Sequence, residues 1–170
     1  MFNVSDTIVY GTAGLCSISE VREMSMPGKS GQGKAPRKYY VLIPLESNTT
    51  QFFVPVDNEL LTAKMKRIMT KSEADAMLKD RIDYVPWIDE RRTRAEEYSK
   101  IISGGDTRQI FSIMRQLYAA KVEAESLGKK QYVTDKRNMD LAERVIGEEF
   151  SYVYELPRQG IAKYIFEELM

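Results

Sequence analysis

The chain has 170 residues, 43% of them apolar, which suffices for one ordinary domain or two small cores. Lys+Arg and Asp+Glu balance at 25 each, so there is no overall basic field, and any nucleic-acid contact has to be local or assisted by a partner. Histidine is absent and cysteine occurs once, which excludes Ser-His and Cys-His catalytic pairs, imidazole metal sites and an internal disulfide. The lone Cys16 lies in a strand pattern and fits a buried, inert thiol in a reducing cytoplasm. Carboxylates fall mostly in helical charge patterns such as Glu96-Glu97 and Glu148-Glu149, which read as solvated faces, and none has calcium-loop spacing. The expectation is a non-enzymatic protein with no catalytic residues, no cofactor and no metal. No run of 18 apolar residues occurs, and the first 15 residues lack a basic, then apolar, then small-residue pattern. A chain that neither spans a membrane nor follows a Sec signal is expected.

The first third reads as β structure. Thr7 to Tyr10, Leu15 to Met24, Lys38 to Leu45 and Gln51 to Val56 are rich in Val, Ile, Tyr, Phe and Thr, with Gly, Pro or Asn between them. Alternation in the second run is broken near Glu20, which predicts a bulge. Ser47-Asn48-Thr49-Thr50 predicts a hairpin turn, and Lys64 to Met69 offers a fifth strand. Four or five short antiparallel strands in about 60 residues imply a small SH3- or Tudor-like barrel.

The rest reads as helix. Ser72-Glu73-Ala74-Asp75 resembles a capping box opening a short helix to about Asp80. Pro86 precedes a helix predicted over Ile88 to Ile102, ended by Gly104-Gly105. Asp106 caps a helix with a buried stripe of Ile110, Ile113, Met114 and Leu117, terminated at Gly128. Thr134 is expected to cap another, with Met139, Ala142, Val145, Ile146 and Phe150 on its apolar face. After Pro157 and Gly160 comes a last amphipathic segment, Ile161 to Met170. The predicted class is α+β: an N-terminal β-barrel, residues 1–60, and a C-terminal all-α bundle of about five helices, residues 65–170.

Gly28-Lys29-Ser30-Gly31-Gln32-Gly33-Lys34-Ala35 falls one residue short of a phosphate-binding loop, because Ala35 stands where a magnesium-holding hydroxyl is required. Such a loop must also feed a helix N-terminus, whereas Pro36 here leads into the strand Tyr39-Tyr40-Val41-Leu42-Ile43. A hairpin loop is the better reading.

Trp87, the only tryptophan, is placed at the mouth of a helix, with Arg91 and Arg94 along one face and Arg92 beside them. An indole can wedge against an unstacked base step while guanidinium groups grip the flanking phosphates. A core tryptophan with arginines solvating the outer helix face accounts for the same spacing. Lys136-Arg137 offers a second basic point, and surface charge explains that pair equally well.

The order Asp6-Thr7-Ile8-Val9-Tyr10, Gly14, Tyr39-Tyr40-Val41-Leu42 and Val54-Pro55-Val56-Asp57-Asn58 resembles the CarD/CdnL family of bacterial transcription regulators. Trp87, Arg91-Arg92, Ser103-Gly104-Gly105-Asp106 and Asp135-Lys136-Arg137 extend the resemblance over nearly the whole chain. It implies a Tudor-like domain that docks on the RNA polymerase β subunit and is similar to the polymerase-interacting part of transcription-repair coupling factors. It also implies a helical domain contacting promoter DNA at the upstream edge of the −10 bubble, through minor groove and phosphates with little sequence specificity, so as to modulate open-complex stability. By position, the resemblance makes Trp87 the wedge, Arg91 and Arg92 the phosphate contacts and Lys136 a further backbone contact, while spacing alone adds Arg94 and Arg137 as candidate DNA contacts. Family docking arginines correspond here to Met24 and Phe53, with Arg22 close to the first. The chain departs from the pattern where Ile88-Asp89-Glu90 separates the tryptophan from its arginines, and where Asp140-Leu141 replaces a basic position. The implied protein is a cytoplasmic, nucleoid-associated monomer. The alternative is a protein-binding adaptor whose helical domain is structural, which requires a buried Trp87.

Overall fold

The structure, a computed structural model, describes residues 2–25, 35–47 and 49–169. Residues 28–34 of the phosphate-loop look-alike and Asn48 of the expected hairpin turn lie outside the described residues. The chain divides into two compact units, Met1–Ile68 and Met69–Met170.

In the first unit, five antiparallel strands form one sheet: β1 (Thr7–Tyr10), β2 (Leu15–Met24), β3 (Arg37–Pro44), β4 (Phe52–Pro55) and β5 (Met65–Arg67), in the order β4-β3-β2-β1-β5. Left-handed Gly11 and Gly14 (φ 49° and 76°) bracket the tight link from β1 to β2, a conformation that glycine adopts without a Cβ clash. The β2–β3 register slips between Ile18 and Glu20, which is the expected bulge. Alternate residues face one core: Ile8, Cys16, Ile18, Tyr40, Leu42, Val54 and Met65 are all nearly inaccessible. Both edge strands, through Val54 and Met65, reach that single cluster, and no pairing between β4 and β5 closes the sheet among the described residues. The Cys16 thiol is fully buried and points at the Gly14 carbonyl. Helix α1 (Glu59–Thr62), capped by the Asn58 side chain, packs Leu61 against the cluster. At four residues it is too short to leave a periodic signal.

The second unit holds five helices: α2 (Lys71–Lys79), α3 (Arg91–Gly104), α4 (Thr107–Ser126), α5 (Val133–Tyr154) and α6 (Arg158–Leu169). Their core is built by Tyr98 and Ile102 of α3, Ile110, Ile113, Met114 and Leu117 of α4, Ala142, Ile146 and Phe150 of α5, and Ile161 and Ile165 of α6. Phe111 stacks on Phe150 across the α4–α5 contact, 5.9 Å between centroids. The cap of α4 is Asp106, whose carboxylate accepts from the Gln109 amide. Other helix starts differ from expectation. Thr70, not Ser72, caps α2, because its hydroxyl and the Glu73 carboxylate reciprocate across the first turn. Tyr132 takes the N-cap position of α5 without a side-chain bond, so Thr134 lies inside the helix. Glu148 and Glu149 are not a solvated face: Glu149 is buried and accepts from the Met69 amide, and Glu148 binds Arg158. Among the described residues no helix is long and apolar enough to cross a membrane.

Candidate functional site

Trp87 lies in irregular chain ahead of α3 and not at its mouth, because the helix begins at Arg91 and not at Ile88. Glu90 is the reason. Its carboxylate accepts from the Arg92 and Thr93 amides at 3.0 and 2.6 Å, closing the helix N-terminus. The Thr93 hydroxyl and those amides pull the Glu90 carboxyl down to about 2. The intervening Ile88-Asp89-Glu90 is thus a cap and a brace: Ile88 packs on the helical core, and Ile88 and Asp89 both lend carbonyls to Arg94.

Arg94 corrects the sequence reading. It is 2% exposed and has no access to a phosphate. Its Nε and Nη2 donate to the two oxygens of Asp135 at 3.1 and 2.8 Å, and its Nη1 donates to the Ile88 and Asp89 carbonyls at 2.7 and 3.2 Å. The guanidinium lies 4.4 Å from the Trp87 ring. The Tyr98 ring, whose hydroxyl donates to Gln116, meets the indole edge-on at 6.5 Å. The indole is nonetheless 41% exposed, so the wholly buried tryptophan of the alternative reading is not what is found.

The remaining predicted contacts are on the surface. Arg91 places its guanidinium 4.4 Å from the Tyr132 ring, and that tyrosine is itself half exposed. Arg92 pairs with Glu96 one turn along. Lys136 pairs with Asp140 at 2.8 Å, and this carboxylate holds the ammonium above its usual pKa. Arg137 is exposed and makes no ion pair among the described residues. The contacts Arg91 to Tyr132, Arg94 to Asp135 and Ala95 to Asn138 advance together, so α3 and α5 run in the same direction. Between them a groove of about 470 Å³ is lined by Glu96, Ser99, Lys100, Thr134 and Arg137. Asp135, Tyr98 and Glu90 were missed as site residues. Arg94, Tyr98 and Ile102, four apart on the buried stripe of α3, carried the signal that this arginine faces inward.

In the first unit the three expected docking residues share a face. Arg22 opposes Tyr39, Met24 opposes Arg37, and Phe53 opposes Val41. That parity sets all three on the side of the sheet away from the Ile8–Cys16–Leu42 core, whereas Phe52 and Val54 turn toward it. Arg22 and Met24 belong to β2 and Phe53 to the edge strand β4, with Tyr39 and Val41 buried between them. Arg22 is paired with Glu20.

Residues 2–69 match the family model of the CarD-like/TRCF RID domain, over almost the same stretch as the first compact unit. No curated protein matches the chain.

Proposed function

We propose, from the premise that residues 2–69 form a CarD-like/TRCF RID domain, an RNA-polymerase-interacting module, that the protein is a non-enzymatic bacterial transcription regulator with two points of attachment. The sheet docks on the polymerase β subunit through the face bearing Arg22, Met24 and Phe53. The helical unit contacts promoter DNA at the upstream edge of the −10 bubble and alters open-complex stability. Trp87 enters the minor groove there, and Arg91, Arg92, Lys136 and Arg137 meet the flanking phosphates. Arg94 has no part in that grip.

The observation that carries this reading is the partly exposed indole of Trp87, held against a buried guanidinium. A partly exposed indole offers a large flat apolar face with one polar N–H, the combination that tryptophan supplies at interfaces. The zero net charge fits a protein delivered by polymerase: once docked, the helical unit meets nearby DNA at high effective concentration and needs no basic field of its own. The adaptor reading, which requires a buried Trp87, is weakened by the same indole.

A photoreactive benzoylphenylalanine at position 87 tests this. In polymerase–promoter complexes it should cross-link to DNA at the upstream bubble edge. Cross-links to protein alone would contradict the DNA role.

A further inference from the structure

We propose that Arg94 and Asp135 are positioning residues: a buried ion pair that fixes a planar shelf against one face of the Trp87 indole, leaving that ring a single outward face to set against DNA. This rests on the reading of Trp87 as the DNA contact and deepens it.

The geometry of the guanidinium supports a shelf rather than a simple ion pair. Asp135 takes it fork to fork, and two backbone carbonyls of the Trp87 loop take Nη1. Four of its roughly five N–H donors are thereby engaged in its own plane, which fixes that plane in direction as well as place. What remains is its two faces, and the indole lies 4.4 Å from it. The loop that carries the indole is bound by the same group, since Ile88 and Asp89 follow Trp87 directly. Ring and loop are therefore oriented by one charge. Both side chains of the pair are 3% exposed, and a buried ion pair of this kind is weak evidence for stability, because apolar residues of similar size often serve the fold as well. Tying the loop carbonyls and the ring to one planar group is a role that apolar residues, which donate no hydrogen bonds, do not share.

The consequence is mechanical. A ring free on both faces can intercalate between base pairs. A ring with one face on a guanidinium and Tyr98 beside it in a T-shaped contact is suited instead to leaning on the end of a stack. The shelf makes Trp87 a one-sided wedge that arrives already oriented, so little ordering entropy is lost on contact.

The test uses the full chain in four forms beside wild type: Arg94→Lys, Asp135→Asn, the paired change Arg94→Met with Asp135→Leu, and Trp87→Ala as reference. Because Trp87 is the only tryptophan, its emission and acrylamide quenching report on this ring alone. Circular dichroism checks the helices, and open-complex lifetime with RNA polymerase reads the function. The expected result is a red-shifted emission and stronger quenching in all three shelf variants, with helix content retained in the apolar pair. Lifetimes should fall toward that of Trp87→Ala. Lysine should not rescue, since a point charge can neither fork to Asp135 nor stack in a plane. Unchanged emission and quenching in the folded apolar pair would overturn the shelf. A loosened ring with wild-type lifetimes would overturn its positioning role, and unfolding of all three variants would show that the pair serves the fold instead. If Trp87→Ala itself leaves lifetimes unchanged, the DNA reading fails, while quenching still decides whether the shelf holds the ring.

Discussion

Arg91 and Arg94 are three residues apart on one helix, yet the first is exposed and the second is among the most buried side chains of its unit. What separates them is Asp135, which reaches Arg94 from the first turn of α5. The four-residue spacing of Arg94, Tyr98 and Ile102 marks an inward face, but no local pattern reveals the partner 41 residues away that lets an arginine occupy it. The energetic consequence is asymmetric. Removing one member of the buried pair, as in Asp135→Ala, strands a charge and should lower stability by about 3–5 kcal/mol. Surface pairs are worth far less: Asp140→Ala, which frees the exposed Lys136, should leave stability nearly unchanged. Urea unfolding of the two variants measures the contrast, and similar losses in both would contradict it.

Strand positions were legible because alternation has a period of two and each strand has one buried face. The bulge at Ile18–Glu20 and the inward Phe52 and Val54 follow from that rule. Helix interiors were legible from the stripe Ile110, Ile113, Met114 and Leu117. Helix starts were not, because several residues near each start can cap, and the choice depends on which side chain reaches an amide. Thr70 prevails over Ser72 through Glu73, and Glu90 moves the start of α3 past Trp87. Asp106, the cap that was anticipated, should contribute about 1 kcal/mol, measurable as a lowered unfolding midpoint in Asp106→Ala. Glu90 carries a pH signature. Its carboxyl titrates at about 2 instead of the usual 4.5, so its contribution is complete above 4.5 and is lost as pH falls toward 2. Trp87 emission should therefore hold steady from neutral pH through the usual carboxylate range and change only as pH approaches 2, where the folded-state carboxyl takes its proton, with a smaller change in Glu90→Gln. An equal step in that variant would remove Glu90 as its cause.

Across the whole molecule, two separate hydrophobic clusters serve two compact units, divided between Ile68 and Met69. A break at residue 60 would remove β5, which pairs with β1 and puts Met65 into the first core. Fragments should accordingly be cut after residue 68. Residues 1–68 are expected to retain polymerase β-subunit binding and residues 69–170 to lack it, by pull-down. Binding by the helical fragment alone would contradict the division of labour.

Open-complex lifetime, measured with RNA polymerase and saturating wild-type or Trp87→Ala protein, probes the role of the exposed indole most directly. The predicted result is polymerase binding that survives the substitution and a lifetime shortened by up to about tenfold, equivalent to about 1.4 kcal/mol. A lifetime equal to wild type, with binding intact, would contradict the role of Trp87 at the bubble edge.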